Sequence, residues 1–270
     1  MRENKLRDLI RKGEPTLGTR VNIIWPGLTE IIGHTGVYDY VEFVSEYTPY
    51  DLYDLDNWER AAELYGLSTM IKLDQQPRVY LVGRALTAGI QNFLFADIRK
   101  VEDAEEAVKA VRIEPKGLSG IRMDRRVKYV GYKDAGKDLV KMCDDAVVGL
   151  MIEKKPAVDN LEEILSVEGV DMVQFGPGDY SLSAGLAGEL RMGLPGFKYT
   201  KLREVELKII KTALKMDVAP RAEIRTPEEA KEYWDLGVRH FSLENDLSIL
   251  FNWWKDKGSA LKQIFKECGK

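Results

Sequence analysis

Residues 146–185 read AVVGLMIEKKPAVDNLEEILSVEGVDMVQFGPGDYSLSAG, and their rhythm decides the fold. An apolar run of strand length, 146–153, gives way to a helical pattern over 157–165. A second run follows at 171–175, and then a turn rich in Gly and Pro. Buried strands read as continuous apolar runs, whereas a helix on a sheet repeats its apolar residues three and four apart.

The same alternation extends in both directions. Upstream, strands are predicted at 18–25, 38–45, 68–73 and 91–96. Helices follow them from Pro26 and over 57–65, 77–88 and 101–112. Downstream, helices at 202–214 and 227–236 alternate with strands at 218–224 and 238–243. Eight strands in strict alternation with helices over about 225 residues predict an α/β fold, a closed (β/α)8 TIM barrel. An open doubly wound sheet fits less well, and no GxGxxG follows the first strand.

Residues 1–270 are read as one barrel domain with an N-terminal amphipathic helix and a helical extension over about 245–270. The extension holds Phe251, Trp253 and Trp254. It either covers the barrel bottom or packs on another subunit, and the cost of an exposed Trp pair favours a homo-oligomer. Residues 114–133, rich in Gly and Arg, break the rhythm as a long loop. Its Arg122, Arg125, Arg126 and Tyr129 are expected near the mouth, either gripping an anionic substrate tail or solvated.

The composition narrows the function classes. The net charge of −4, with both signs interspersed, argues against nucleic acid as a partner. Two cysteines, Cys143 and Cys268, are too few for a disulfide scaffold or a zinc knuckle. No apolar run reaches the roughly 18–20 residues that span a bilayer. The charged start MRENKLRDLIRKGEP is no signal peptide, so a cytoplasmic protein without membrane partners is expected. Histidine chemistry is limited to His34 and His240. His34 reads as a packing or surface residue in the helix after strand one, and nothing around His240 in strand eight favours a base.

In such barrels the reactive side chains cluster at the C-terminal ends of the strands. That rule selects Glu46 and Tyr47 after strand two, Lys72 in strand three, Glu153 after strand five and Asp179 after strand six. Glu153 follows VVGLMI, so its carboxylate sits over a buried strand and needs a partner. Lys154 and Lys155 point elsewhere, which leaves a metal or a remote cation. The glycines around Pro177 allow a tight turn that offers amides to an anion at a helix start. Asp179 in that turn is either a hard-cation ligand or a helix cap. Arg20 in strand one is a candidate inward cation, and Arg78 lies close enough after strand three to consider for anion binding.

Residues 151–186, MIEKKPAVDNLEEILSVEGVDMVQFGPGDYSLSAGL, resemble the signature of the HpcH/HpaI aldolases, of the citrate lyase β-like superfamily. The strand rhythm agrees with that family's barrel. The resemblance implies a metal-dependent (class II) carbon–carbon lyase, an aldolase working on 2-oxo acids through a pyruvate enolate. Glu153 and Asp179 match its metal ligands, so Mg2+, Mn2+ or Co2+ is implied as cofactor. The amides of Gly178 and Asp179 match those that hold the pyruvate carboxylate. A trimer of dimers is the assembly the family implies.

The chain departs from the pattern where the family places its acid and base. The family's D-G-E-H-x-P becomes V-S-E-Y-T-P, with Val44 for the aspartate and Tyr47 for the catalytic histidine; Glu46 and Pro49 are kept. Lys72 stands for an arginine, Met151 for a glutamine and Thr87 for an aspartate. Tyr47, Lys72 and Glu46 are therefore the candidate catalytic set, with Arg20 and Arg78 as candidate substrate contacts. Tyr47 would serve as a proton donor, or as a base if its pKa were depressed. Lys72 would supply positive charge or a Schiff base. Alternative readings are another enolate reaction (decarboxylation, hydration or tautomerisation), an acyl-CoA lyase, or a ligand-binding barrel without catalysis.

Overall fold

The computed structural model describes residues 2–189 and 201–269. In chain order the elements are α1 Lys5–Lys12, β1 Thr16–Val21, α2 Pro26–His34, β2 Tyr40–Val44, α3 Leu52–Leu64, β3 Ser68–Leu73, α4 Arg78–Ala88, β4 Asn92–Phe95 and α5 Val101–Val111. They continue with α6 Ala135–Asp145, β5 Val148–Ile152, α7 Lys155–Asp159, α8 Leu161–Leu165, β6 Met172–Phe175 and α9 Pro177–Ser183. The last are α10 Lys201–Lys215, β7 Ala219–Ile224, α11 Glu229–Asp235, β8 His240–Asn245 and α12 Asp246–Cys268. All eight strands pair in parallel in sequence order, and β8 returns to β1 to close the barrel. The predicted (β/α)8 barrel is the fold.

Several boundaries moved for local reasons. β1 stops at Val21 because the Asp246 carboxylate takes the next two amides, Asn22 N at 2.9 Å and Ile23 N at 2.7 Å. α3 starts five residues earlier than expected, at Leu52, on a reciprocal capping box between Asp51 and Asp54. Helix α6 was missed: its apolar positions are sparse, and only Leu139 and Cys143 are buried.

Outside the strands, one large core fills the space between sheet and helices. The barrel interior is divided. On one side Tyr40, Met70, Leu94, Val147, Met151 and Met172 pack with Leu6 of α1. The Tyr40 ring crosses the lumen and needs Gly18: a Cβ there would lie 2.3 Å from the ring. On the other side the lumen is polar. Arg221 pairs with Glu42, both side chains fully buried, and its Nε donates to Tyr40 OH at 2.8 Å.

Helix α1 closes the floor of the barrel, at the N-terminal ends of the strands. Asn4 Nδ2 donates to Asn92 Oδ1 at 2.8 Å and to Asp145 O at 2.9 Å. The Arg7 guanidinium forks onto the Asp171 carboxylate at 2.6 and 2.5 Å and also donates to Ala146 O at 2.8 Å. The role of floor, one of the two readings of the C-terminal extension, therefore falls to α1. α12 instead leaves from the mouth end of β8, and Phe251, Trp253 and Trp254 are about 60% exposed. No helix among the described residues is long and apolar enough to cross a membrane.

Candidate active site

The ends of β2 and β3 bring Glu46, Tyr47 and Lys72 together. β2 runs into one 3-10 turn, Ser45–Tyr47, and Ser45 Oγ ties that turn to β3 by donating to Lys72 O at 2.6 Å. Lys72 is 6% exposed. Its Nζ lies 2.6 Å from Glu46 Oε2 and donates to Tyr47 OH at 3.0 Å. Burial works against the ammonium, but Glu153, Tyr47 and Glu46 outweigh it and raise the pKa, so Lys72 stays charged. A Schiff base needs the free amine, which these carboxylate neighbours disfavour. Desolvation also raises the Tyr47 pKa, against the pull of Lys72. The raised pKa favours the protonated phenol, the form that can donate a proton.

Across the mouth, Glu153 follows β5 and is 2% exposed. Its place exists because residue 176 is Gly: a Cβ there would lie 2.5 Å from Glu153 Oε2. Glu153 Oε1 accepts the Asp97 amide at 2.8 Å. Burial raises its pKa against Lys72 and this amide, and the Asp179 and Glu46 carboxylates raise it further. The remote cation expected for Glu153 is thus Lys72.

Asp179 lies in the first turn of α9, but Gly176 is the N-cap and no side chain caps the helix. The capping alternative for Asp179 falls away. Instead Asp179 Oδ1 accepts from Lys154 Nζ at 2.9 Å, and the same ammonium is 2.5 Å from Asp97 Oδ1. Gly178 opens onto free space beside it. Its amide and that of Asp179, in the first turn, have no carbonyl to bond within the helix.

Among the described residues, Glu46, Glu153, Asp97 and Asp179 face Lys72, Lys154 and, 3.8 Å from Asp97 Oδ1, Arg99, which leaves one negative charge uncompensated. Among the described residues no three His, Cys, Asp or Glu side chains gather as a ready-made metal cage. Two carboxylates in a net acidic setting still fit a hard dication that completes its shell with water and substrate. That cation would also relieve the repulsion around Glu153.

Arg78 does not reach this mouth. It is 1% exposed, pairs with Asp103 and Glu106 of α5 and donates to Ala96 O and Asp97 O, so it braces the segment after β4 that carries Asp97. The 114–133 loop follows α5, which runs down the barrel, so it lies at the floor end. Arg122 and Arg125 there bond Gly83 O and Ala88 O near the end of α4. His34 bonds Tyr65 OH at 2.9 Å on the surface. His240 is buried against Thr16 Oγ1 at 3.0 Å, and burial with Arg221 lowers its pKa to about 4. Arg20 does point inward, paired with Glu223 of β7 at 2.7 Å.

Sequence reasoning missed Asp97, Lys154, Gln174 and Glu223. Asp97 directly follows β4, so the strand-end rule applied to every strand selects it. Arg221 and Glu223, two apart in β7, share the inward face.

The family pattern described as HpcH/HpaI aldolase/citrate lyase matches residues 36–237. A hydroxypyruvate/pyruvate aldolase of Delftia acidovorans is 27% identical over 250 residues, covering 92% of this chain and 88% of that protein. A 4-hydroxy-2-oxo-heptane-1,7-dioate aldolase of Shigella sonnei is 26% identical over 258 residues, covering 92% and 91%. Among solved structures, an HpcH/HpaI aldolase from Desulfitobacterium hafniense superposes with a TM-score of 0.84 at 22% identity, covering 97% of each chain.

Proposed function

The chain belongs to the HpcH/HpaI aldolase/citrate lyase family, and we propose that it is a divalent-metal-dependent carbon–carbon lyase that splits a 4-hydroxy-2-oxo acid into pyruvate, or a close analogue, and an aldehyde. The observation that carries this reading is the placing of Glu153 and Asp179, where carboxylates outnumber cations, opposite the Glu46–Lys72–Tyr47 cluster.

Glu153 and Asp179 would hold the metal, with Mg2+ and Mn2+ the first choices and Co2+ next. Bound there, the ion supplies Lewis-acid stabilisation of the charge that builds on the 2-oxo oxygen. The amides of Gly178 and Asp179 take the substrate carboxylate. Lys72, held charged, adds fixed positive potential on the other side of the developing oxyanion. In the cleavage direction Glu46 accepts the 4-hydroxyl proton, the C3–C4 bond breaks and the aldehyde leaves. Tyr47 then protonates C3 of the enolate. Lys72 touches both Glu46 and the Tyr47 oxygen, so it returns the proton from the first to the second. The missing histidine is replaced by a carboxylate and a phenol linked through one ammonium. The exposed aromatic residues of α12 support packing against further copies of the chain, in the trimer of dimers that the family resemblance implies.

The test is exchange of the pyruvate methyl protons in D2O with added Mn2+ or Mg2+, together with release of pyruvate from a 4-hydroxy-2-oxo acid. Both are expected, and both stop with EDTA. Metal binding without either reaction overturns the lyase reading and leaves a binding barrel.

A further inference from the structure

The third side of the mouth, between β7 and β1, carries a charge pair that the reaction above does not use. Arg221 and Glu223 point the same way from β7, but their settings differ. Arg221 pairs with Glu42 where both side chains are sealed at 0% exposure. Glu223, one layer higher, pairs with Arg20 Nη1 at 2.7 Å, and those side chains are 34% and 24% exposed. Gln174 Nε2 donates to the other Glu223 oxygen at 2.5 Å and fixes the carboxylate. Burial opposes its charge, but Arg20, Arg221 and Lys72 outweigh that and keep it ionised. Arg20 lies near the C-terminal end of β1 and Glu223 near that of β7, the end of the barrel at which Lys72 stands in β3. Arg20 Nε is buried without a partner, so the guanidinium is not saturated by Glu223.

An ion pair with only a structural task gains nothing from an opening to the cavity, as the sealed Arg221–Glu42 pair illustrates. A carboxylate and a guanidinium held side by side match hydroxyl groups, which donate to the first and accept from the second. They do not match a second carboxylate, which Glu223 repels. Nor do they match an alkyl chain, which would strip water from two charges and return no hydrogen bond. We infer that Arg20 and Glu223 form the subsite for the aldehyde half of the substrate, and that it selects an aldehyde bearing hydroxyl groups. This rests on the lyase reading above.

The experiment is aldol addition of pyruvate, with Mn2+, to glyceraldehyde, succinate semialdehyde and propanal, with pyruvate exchange in D2O followed in parallel. Wild type is expected to favour glyceraldehyde over propanal by about 100-fold in kcat/KM, because the hydroxyl-less aldehyde displaces water from the pair and returns no hydrogen bond. Glu223→Gln removes the repulsion and frees Arg20, so the succinate semialdehyde to glyceraldehyde ratio rises about tenfold. Arg20→Gln lowers the glyceraldehyde rate with no such gain. A wild type that prefers propanal or succinate semialdehyde, or a ratio within twofold of wild type in Glu223→Gln, overturns the inference. The wild-type ranking decides the matter even if a variant fails to fold. Exchange without the expected ranking overturns this subsite alone, whereas absence of exchange overturns the lyase reading and the subsite with it.

Discussion

The floor and the mouth of this barrel are both built from charged and polar side chains, yet they treat charge in opposite ways. At the floor, the Arg7 guanidinium meets Asp171 and backbone carbonyls, and Asp171 also accepts Val148 N at 2.8 Å. Donors and acceptors match, and the result is a lid that holds strand ends together. At the mouth, carboxylates outnumber cations, and Glu153 is buried, which opposes its charge, with repulsion from Asp179 and Glu46 set against the pull of Lys72 and the Asp97 amide. Such repulsion lowers stability, and it is the condition under which a cation or a polar substrate binds tightly. One end is satisfied by the protein alone and the other is left for a ligand to satisfy.

The sharpest way to break this contrast is Glu153→Gln. It should lower the cleavage rate by about 1,000-fold through loss of metal and of oxyanion stabilisation. The same change should leave the melting temperature unchanged or higher, because a repelled carboxylate has been removed. A lower melting temperature with activity retained would assign Glu153 to structure. At the other end, Arg7→Ala should cost about 3 kcal/mol of stability in urea unfolding, since Asp171 keeps the Val148 amide but, as a cation, the more distant Arg112 at 3.7 Å. Its specific activity per folded molecule should stay within about twofold of wild type. A large loss of activity at full occupancy would couple the two ends.

Smaller effects sharpen the picture of the mouth. Tyr47→Phe should slow pyruvate proton exchange by about 100-fold, the range for a lost proton donor. Unchanged exchange removes the phenol from the reaction. Lys154→Met should tighten Mn2+ binding by about tenfold, measured by calorimetry, because Asp179 and Asp97 lose the ammonium they share. Weaker binding would mean that Lys154 positions Asp179 and does not compete with the metal.

The barrel was readable because parallel strands buried on both faces leave continuous apolar runs, and Ala146 to Phe175 shows two of them around one helix. Glu153 and Asp179 were readable because they follow those runs directly. What escaped was pairing between distant strands. Nothing near Lys154 shows that its ammonium reaches back to Asp97 and over to Asp179, since the neighbours are 57 and 25 positions away in the chain. Arg78 was misplaced for the same reason: it follows β3 at the correct end, but its guanidinium turns outward to Asp103 and Glu106 of α5. The 114–133 loop was assigned to the mouth on composition, although a segment that follows a returning helix lies at the floor. The Arg20–Glu223 pair joins β1 to β7, a contact that only barrel closure creates.

The helix that seals the floor is made before the strands it closes and is completed late. Leu6 waits for Ser68, 62 residues on, Asn4 for Asn92, 88 residues on, and Arg7 for Asp171, 164 residues on. As the chain leaves the ribosome, α1 therefore gains its partners piecemeal, Lys5 meeting Asp39 and Leu6 meeting Ser68 early, while Arg7 lacks Asp171 until the sixth strand is made. Its docking is a long-range step, the kind that loop-closure entropy slows. Leu6 and Ile10 stay exposed to other chains in that interval, so the risk of misassembly during synthesis is concentrated in the first dozen residues.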